Sequence, residues 1–516
     1  VIESRESRDS QITLRVDGRW LHSGFNPERE ARRFVDTLEI GSPRLILLLG
    51  AGGGYILRAL SQRFPQARIV PIFLRGEIRE HAISLSLHHW DCSWTPEDSQ
   101  SFSAFLPTAI SELEALSVAV VEWPSGVACE PSLAQNLGRQ VASFVRKAQG
   151  SILSAGAQGP QRLRNAILNA AGIRGYTISE KPTRAVRATV VTAAGPTLEK
   201  SIHRIHENRS EILLIATGSS VAALTAAELR PDLLVVTESS VYGAMHLRGR
   251  AEIAVSDVPL LAPLTVSTST TALASQSVFF SQGELGEAFL SHPPALHIPP
   301  LGSVTLSALA IARALSPAPI VIAGLDLAWL EQRSHVRPHL AHDWHQAEAD
   351  KMNPHSARGW DNMRGQVAID GHWSQDRSLR TYADWIGNGG LSSLKTLYAL
   401  SPSPLLKPFV AEIPTLRARE LGASYPARYH ARKLNRSPRM IEHAHAVLDR
   451  WEQIVVQTPT GRVPTEESLS LLSALAIKEL VAWARDSSCQ RRATETKNQA
   501  HTQIQKLHTI VDHVAA

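Results

Sequence analysis

The segment RATVVTAAGPTLEKSIHRI (187–205), followed by EILLIATGSSVAALTAAEL (211–229) and PDLLVVTESS (231–240), decides the fold. Each opens with a short apolar run rich in Val, Ile and Leu, the composition of a buried strand. The first two then turn at Gly195 and Gly218 and continue with helical apolar spacing. Strand, glycine turn and helix, repeated along the chain, predict a mostly parallel sheet covered on both faces. Ligands of such sheets lie in the crevice beyond the carboxyl ends of the strands. The residues at those ends are therefore the first candidates for a site.

Upstream, RLILLLGAGGGYILRALSQRFP (44–65) has the same layout, and ARIVPIFL (67–74) and VAVVEW (118–123) read as further strands. An entry arm is expected over 1–40: a short strand pair, a turn at Asn26-Pro27, and a helix with Ala31, Phe34, Val35 and Leu38 on its apolar side. A Rossmann-like N-terminal domain is expected over 41–180, with helices at 133–150 and 160–172. Downstream, AEIAVSD (251–257), SVFFSQ (277–282) and PIVIAGLDLAW (319–329) read as strands and 303–315 as a helix, which completes a central domain over 185–410. Residues 330–390 read as irregular. Strands are not expected beyond about 410, where 441–457 and 467–486 have amphipathic spacing, so 411–516 is expected to be a helical C-terminal domain. The fold class is thus α/β: two Rossmann-like parallel-sheet domains plus an α-helical C-terminal region.

Composition narrows the function. The chain has 516 residues, 43% hydrophobic and 20% charged, which suits a folded multidomain protein. No run approaches the roughly 20 apolar residues of a membrane span. The first residues, Val-Ile-Glu-Ser-Arg-Glu, lack the apolar core of a secretory signal. Cys92, Cys129 and Cys489 are far apart, which argues against a disulfide framework or thiolate metal site and favours a cytoplasmic location. The net charge of +5 fits a phosphate-bearing ligand or an acidic partner and is too small to argue for nucleic acid.

Two glycine turns are candidate sites. Gly50-Ala-Gly-Gly-Gly54 joins a strand to a helix, but the next strand ends Pro71-Ile-Phe-Leu74, without the acid that would hold a ribose. Its glycines serve a cofactor or simply tight packing. The second set is richer. Gly195 permits a turn, Pro196 suits a first helical turn, and Thr197 adds a hydroxyl beside backbone donors. Thr217, Gly218 and Ser219 repeat that arrangement one unit later, and Glu238 closes a third strand as a ribose- or metal-binding acid. Three adjacent strand ends would then form a nucleotide site.

These residues resemble the central domain of the motility accessory factor family and its MptE-like relatives. The resemblance runs in order through AAGPTL (193–198), IATGSSVAAL (215–224), PDLLVVTESS (231–240), LGSVTLSALAIARAL (301–315), AGLDLAW (323–329) and His335, over roughly 187–340. The arm LHSGFNPEREA (21–31) and RNAILNA (164–170) share it. The sequence departs at Gly324-Leu325-Asp326, where the family carries Gly-Gln-Asp, and it lacks a clear Thr-Glu-Gly-Gly element.

The resemblance implies a sialyltransferase-like central domain and two chemistries. Motility accessory factors move a nonulosonate from its CMP ester to Ser/Thr of flagellin; MptE-like relatives transfer diphosphate from ATP to a hydroxymethylpterin, with Mg as the expected metal. The long N-terminal and helical additions favour the first. A non-catalytic flagellar assembly or binding factor is the third reading. For the first, the expected substrate is a CMP-sugar donor, with no firmly implied cofactor, and the expected partner is flagellin or another acidic protein acceptor. Gly195, Pro196, Thr197, Thr217, Gly218, Ser219 and Glu238 would bind the nucleotide. Gly302, Ser303 and Gly324 would complete that site. Asp326 would act as base or orient one, and His335 would protonate the leaving phosphate.

Three further features have a plainer and a sharper reading. His335, His339, His342 and His345 would share a helix face and bind zinc only if Pro338 did not interrupt it, so no metal site is expected. Five tryptophans, 329, 344, 360, 373 and 385, read as a small core or as a sugar- or protein-facing surface. Arg417, Arg419, Arg428, Arg432, Lys433, Arg436 and Arg439 read as a solvated basic face or as a surface for an acidic partner.

Overall fold

A computed structural model describes residues 2–515, apart from 173–174, 179–180, 249–254, 293, 355–356, 358–363, 377–378, 381, 384–385, 387–396, 414–415, 417–423, 430, 434–438, 461–464 and 486–489. The chain divides into two compact units, Val1–Pro160 with Asp449–Lys506, and Gln161–Leu448 with Leu507–Ala516. Residues beyond 411 are thus shared between both.

In the first unit the arm is three antiparallel strands, β1 (Ile2–Glu6), β2 (Ile12–Val16) and β3 (Arg19–Trp20). A helix follows over Pro27–Asp36, where the Asn26 side chain accepts from the Arg29 N–H and Pro27 stands at the first position, as the sequence leads one to expect. A parallel sheet of β4 (Leu45–Leu49), β5 (Arg68–Ile72) and β6 (Val118–Glu122) has order β5-β4-β6. The helices expected at 133–150 and 160–172 are one, Pro131–Gly172. In place of a break, Gly156 and Gly159 mark a close crossing, where an added Cβ would stand 2.6 Å from the Ser473 carbonyl oxygen and 2.1 Å from that of Ala474.

The second unit is built on a ten-stranded sheet. Its strands are β7 (Gly175–Ile178), β9 (Ala188–Thr192), β10 (Ile212–Thr217), β11 (Leu233–Val235), β12 (Leu260–Pro263), β13 (Ser277–Phe280), β14 (Ile320–Ala323), β18 (Leu397–Leu400), β19 (Ala411–Glu412) and β21 (Ala431–Lys433). The order is β19-β18-β14-β9-β10-β11-β12-β13-β7-β21, and every pairing is parallel except β21 with β7. A separate pair, β8 (Arg184–Val186) with β20 (Tyr425–Ala427), is antiparallel. Val190, Leu214 and Leu234 pack on one face, and Val191, Ile215 and Val235 on the other. Both faces are buried, which is why these strands read as continuous apolar runs.

The sequence reading misses some elements. Beyond 410 it expects no strands, yet β19, β20 and β21 are there: each has two or three residues and takes its order from a neighbouring edge. Within the stretch read as irregular, β15 (Trp329–Leu330), β16 (Val367–Asp370) and β17 (Trp373–Gln375) form an antiparallel sheet. Trp360 and Trp385 lie outside the described residues, as do Arg417, Arg419, Arg436 and the start of AEIAVSD. Among the described residues no helix is long and apolar enough to cross a membrane. Helices do carry the C-terminal region, over Met440–Gln457, Glu466–Leu475, Ile477–Arg485 and Gln490–Ala515.

Candidate functional site at the carboxyl edge of the central sheet

Neighbouring β14, β9 and β10 are in register, so the turns that leave them emerge side by side. The first is closed on itself. The Gly195 N–H donates to the Gly324 carbonyl at 2.7 Å, and the N–H groups of Leu198, Glu199 and Lys200 donate to Gly195, Pro196 and Thr197. Asp326 takes the rest: it accepts from the Thr197 N–H at 2.8 Å and from the Thr197 hydroxyl at 2.5 Å. The free backbone donors expected at this turn are therefore engaged within the protein. Pro196 stands in the turn ahead of the helix, which begins at Leu198.

Asp326 is 2% exposed, and burial pushes its carboxyl up to about 6 against the pull of Thr197 and Lys200. A Cβ on Gly195 would stand 2.4 Å from Asp326 Oδ2, so this packing demands glycine. Gly324, at φ +76°, has Ala193 and Leu198 against it in the same way. Gly195, Pro196, Thr197, Gly324 and Asp326 thus form one contact set, whose carboxylate holds a loop.

The second turn has a hydroxyl cluster. Thr217 Oγ1 donates to the Thr192 carbonyl at 3.0 Å, and the Ser220 hydroxyl lies 2.9 Å from that of Thr192. Thr217, Gly218 and Ser220 are buried, whereas Ser219 is half-buried with its hydroxyl 3.3 Å from Thr217 Oγ1. Glu238 lies three residues beyond the end of β11, exposed, and accepts from the Ser240 N–H at 2.9 Å. Gly302 (φ +72°) and Ser303 precede the helix Val304–Leu315, whose next strand is β14. A helix feeding a parallel strand starts at that strand's far end, so Gly302 and Ser303 belong to the same edge of the sheet.

Three histidines gather beside these turns. The Val336 N–H donates to the Ala194 carbonyl at 2.7 Å, and Arg333 pairs with Glu199 at 2.7 Å, which ties segment 333–337 to the first turn. His335 stacks on His339 with ring centres 3.9 Å apart and planes 12° apart. His246 lies 5.3 Å from His339, and its Cβ is 3.9 Å from where a Gly218 Cβ would be. Burial lowers all three: His335 to about 4, His339 to about 2, and His246 in the same direction although Glu238 opposes it. The Ser334 hydroxyl is 2.7 Å from His335 Nδ1. The four-histidine helix face does not form, because the helix begins at Leu340, beyond His339.

His246 was not legible as a site residue: it stands eight positions after Glu238, in no motif. Two buried asparagines were seen only as part of RNAILNA. Asn165 donates to the Ser239 and Thr265 carbonyls and Asn169 to those of Leu264 and Val266, which fixes the loops that follow β11 and β12.

The Gly-rich turn of the first unit is filled. A Cβ on Gly52 would stand 2.5 Å from His22 Nε2, and that nitrogen accepts from the Gly53 N–H at 3.2 Å. His22 is 1% exposed and stacks on Trp123 with centres 5.0 Å apart. In the second unit, a cavity of about 890 Å³ opens between Arg184, Arg209, Arg230, Asp232 and Asp257. It lies at the opposite, amino end of the strands, and its arginines pair with its own acids, so the carboxyl edge is the better candidate.

Residues 165–332 match the family described as 6-hydroxymethylpterin diphosphokinase MptE-like. Among solved structures, the chain is similar to the MAf glycosyltransferase from Magnetospirillum magneticum AMB-1, at 13% identity and a TM-score of 0.61, over 100% of this chain and 92% of that one. No curated protein matches the chain. Residues 165–332 thus match the MptE-like family model, and over its whole length the chain has the fold of that Maf glycosyltransferase.

Proposed function

We propose that the chain is a glycosyltransferase that moves a nonulosonate from a CMP-sugar to a Ser/Thr hydroxyl of flagellin. The observation that carries the reading is the stacked His335–His339 pair, joined by His246, beside the turn Thr217–Ser219. Transfer from a CMP-sugar needs a held phosphate, shelter for a cationic sugar and a group that takes the acceptor's proton. The turn at Gly218, with Ser219 and the start of the helix at Ser303, would hold the phosphate and the sugar carboxylate; Glu238 would hold the ribose. His335 is neutral well below pH 7, so it enters the reaction as a base towards the acceptor hydroxyl. This reverses the expectation that it donates a proton at the outset. An anionic phosphate alongside would raise its pKa and so retain the proton it takes. Asp326 acts through the loop it holds, because both its oxygens are engaged by Thr197.

The match of 165–332 favours a second reading, diphosphate transfer from ATP with Mg. Calorimetry separates the two: CMP binding without metal supports the first, Mg-dependent ATP binding without CMP binding the second. With flagellin and a CMP-nonulosonate, His335→Ala is expected to cut turnover about 10²- to 10⁴-fold while CMP affinity stays within a few-fold. Turnover equal to the unmodified chain would reject the assignment of His335.

A further inference from the structure

We propose that Tyr242 and Trp344 form a stacking platform for the planar base of the bound nucleotide, at the rim of the crevice whose floor carries the histidines. The inference rests on the nucleotide reading above and locates the end of the ligand farthest from the phosphate.

Two short elements meet at two levels. One is the helix Val241–Met245, which leaves the loop of Glu238; the other is the helix Leu340–Ala347, which follows His339. At the buried level His246 faces His339, with ring centres 5.3 Å apart. At the outer level Tyr242 faces Trp344, with centres 6.1 Å apart and planes tilted by 39°. Four residues separate Tyr242 from His246, close to one helical turn, or about 6 Å along the axis. The aromatic pair therefore stands one turn outside the imidazoles, in the same column.

Chemistry follows that order. Deepest is the Gly218 turn, which touches His246. Next are the imidazoles, then the two aromatic rings. A nucleotide has the same polarity, an anion at one end and a π face at the other. Tyr242 is 53% exposed and Trp344 37%, so two large aromatic side chains border a polar crevice without being part of the core. Their tilt leaves ring faces uncovered, whereas a parallel stack would have hidden them. The Trp344 indole N–H donates to Glu348, just past the end of its own helix, which fixes the ring's orientation before any ligand arrives.

Stacking on a base tolerates any base and adds affinity without touching the phosphate. The test uses the full chain and two probes, CMP and ribose 5-phosphate, by calorimetry. Tyr242→Ala and Trp344→Ala are each expected to weaken CMP about tenfold, with ribose 5-phosphate changed less than twofold; Trp344→Phe should recover most of the loss. CMP affinity unchanged in both alanine variants would overturn the platform while the nucleotide reading stands. Equal weakening of both probes would also overturn it, because that marks a general disturbance of the crevice. If the unsubstituted chain binds neither probe, the nucleotide reading fails and takes the platform with it.

Discussion

A methyl group at position 195 has nowhere to go. It would meet Asp326 Oδ2 and the Gly324 carbonyl at 2.4 and 2.5 Å, and both are fixed by their own bonds. The sequence makes Gly195 legible as a turn glycine, because a strand ends there and a helix begins. It does not show that Asp326, 129 positions beyond Thr197, will occupy the donors of that turn. A buried carboxylate with two hydrogen bonds is a holding group, and the proposed mechanism therefore assigns the proton chemistry to the histidines. That assignment has a pH signature. Only a neutral imidazole accepts a proton, and burial with the neighbouring His246 lowers His335 to about 4. Activity therefore persists as pH falls below 6.5, the ordinary histidine value, and is lost as it falls through about 4. The acid limb of kcat/KM, which reports the free protein's base, is expected near pH 4. A limb near 6.5 would mean that His335 is solvated like a surface histidine and is not the buried base described here.

At the scale of elements, the strands of the central sheet were the most legible part. Apolar runs buried on both faces leave a clear mark, and β9, β10, β11, β13 and β14 fall within the expected segments, whereas β12 lies between two of them and was not expected. Edge strands such as β19 and β21 were not legible, because two or three residues carry no period of their own. The long helix Pro131–Gly172 reads as two from sequence, and the stretch between them is helical as well; glycine there makes room for the segment around Ser473–Ile477. The two roles of glycine in one helix can be separated. Gly150 has nothing within 4 Å of an added Cβ, so Gly150→Ala should stabilise the chain by about 0.5–1 kcal/mol through helix propensity alone. Gly159→Ala gains the same propensity but would put its Cβ 2.1 Å from the Ala474 carbonyl oxygen. It should destabilise by roughly 1–3 kcal/mol. Urea midpoints measure both, and two shifts of the same sign would show that the crossing yields easily.

At the scale of the molecule, the chain carries two Gly-turned parallel sheets, and the physical case is that one of them takes ligand. The turn Gly50–Gly54 has His22 seated against Gly52 and Gly53, where an approaching phosphate would have to be, and His22 is itself held by stacking on Trp123. The turn at Gly218 instead faces histidines whose neutral state awaits a charge. From sequence the first turn is the more glycine-rich of the two but already ranks second, because no acid ends the strand that follows it; what fills a turn comes from a distant segment and leaves no local mark. Hydrogen exchange on the full chain tests the difference. At a CMP concentration about 100 times its Kd, a site that binds only the native state gains about 2.7 kcal/mol, enough to slow exchange wherever opening would release the ligand. Protection is expected at 217–221, 238–246 and 333–344, and none at 50–57. Protection at 50–57 with none at 217–221 would place the nucleotide in the other unit, with His22 swung aside, and the histidine crevice would lose its claim to be the site.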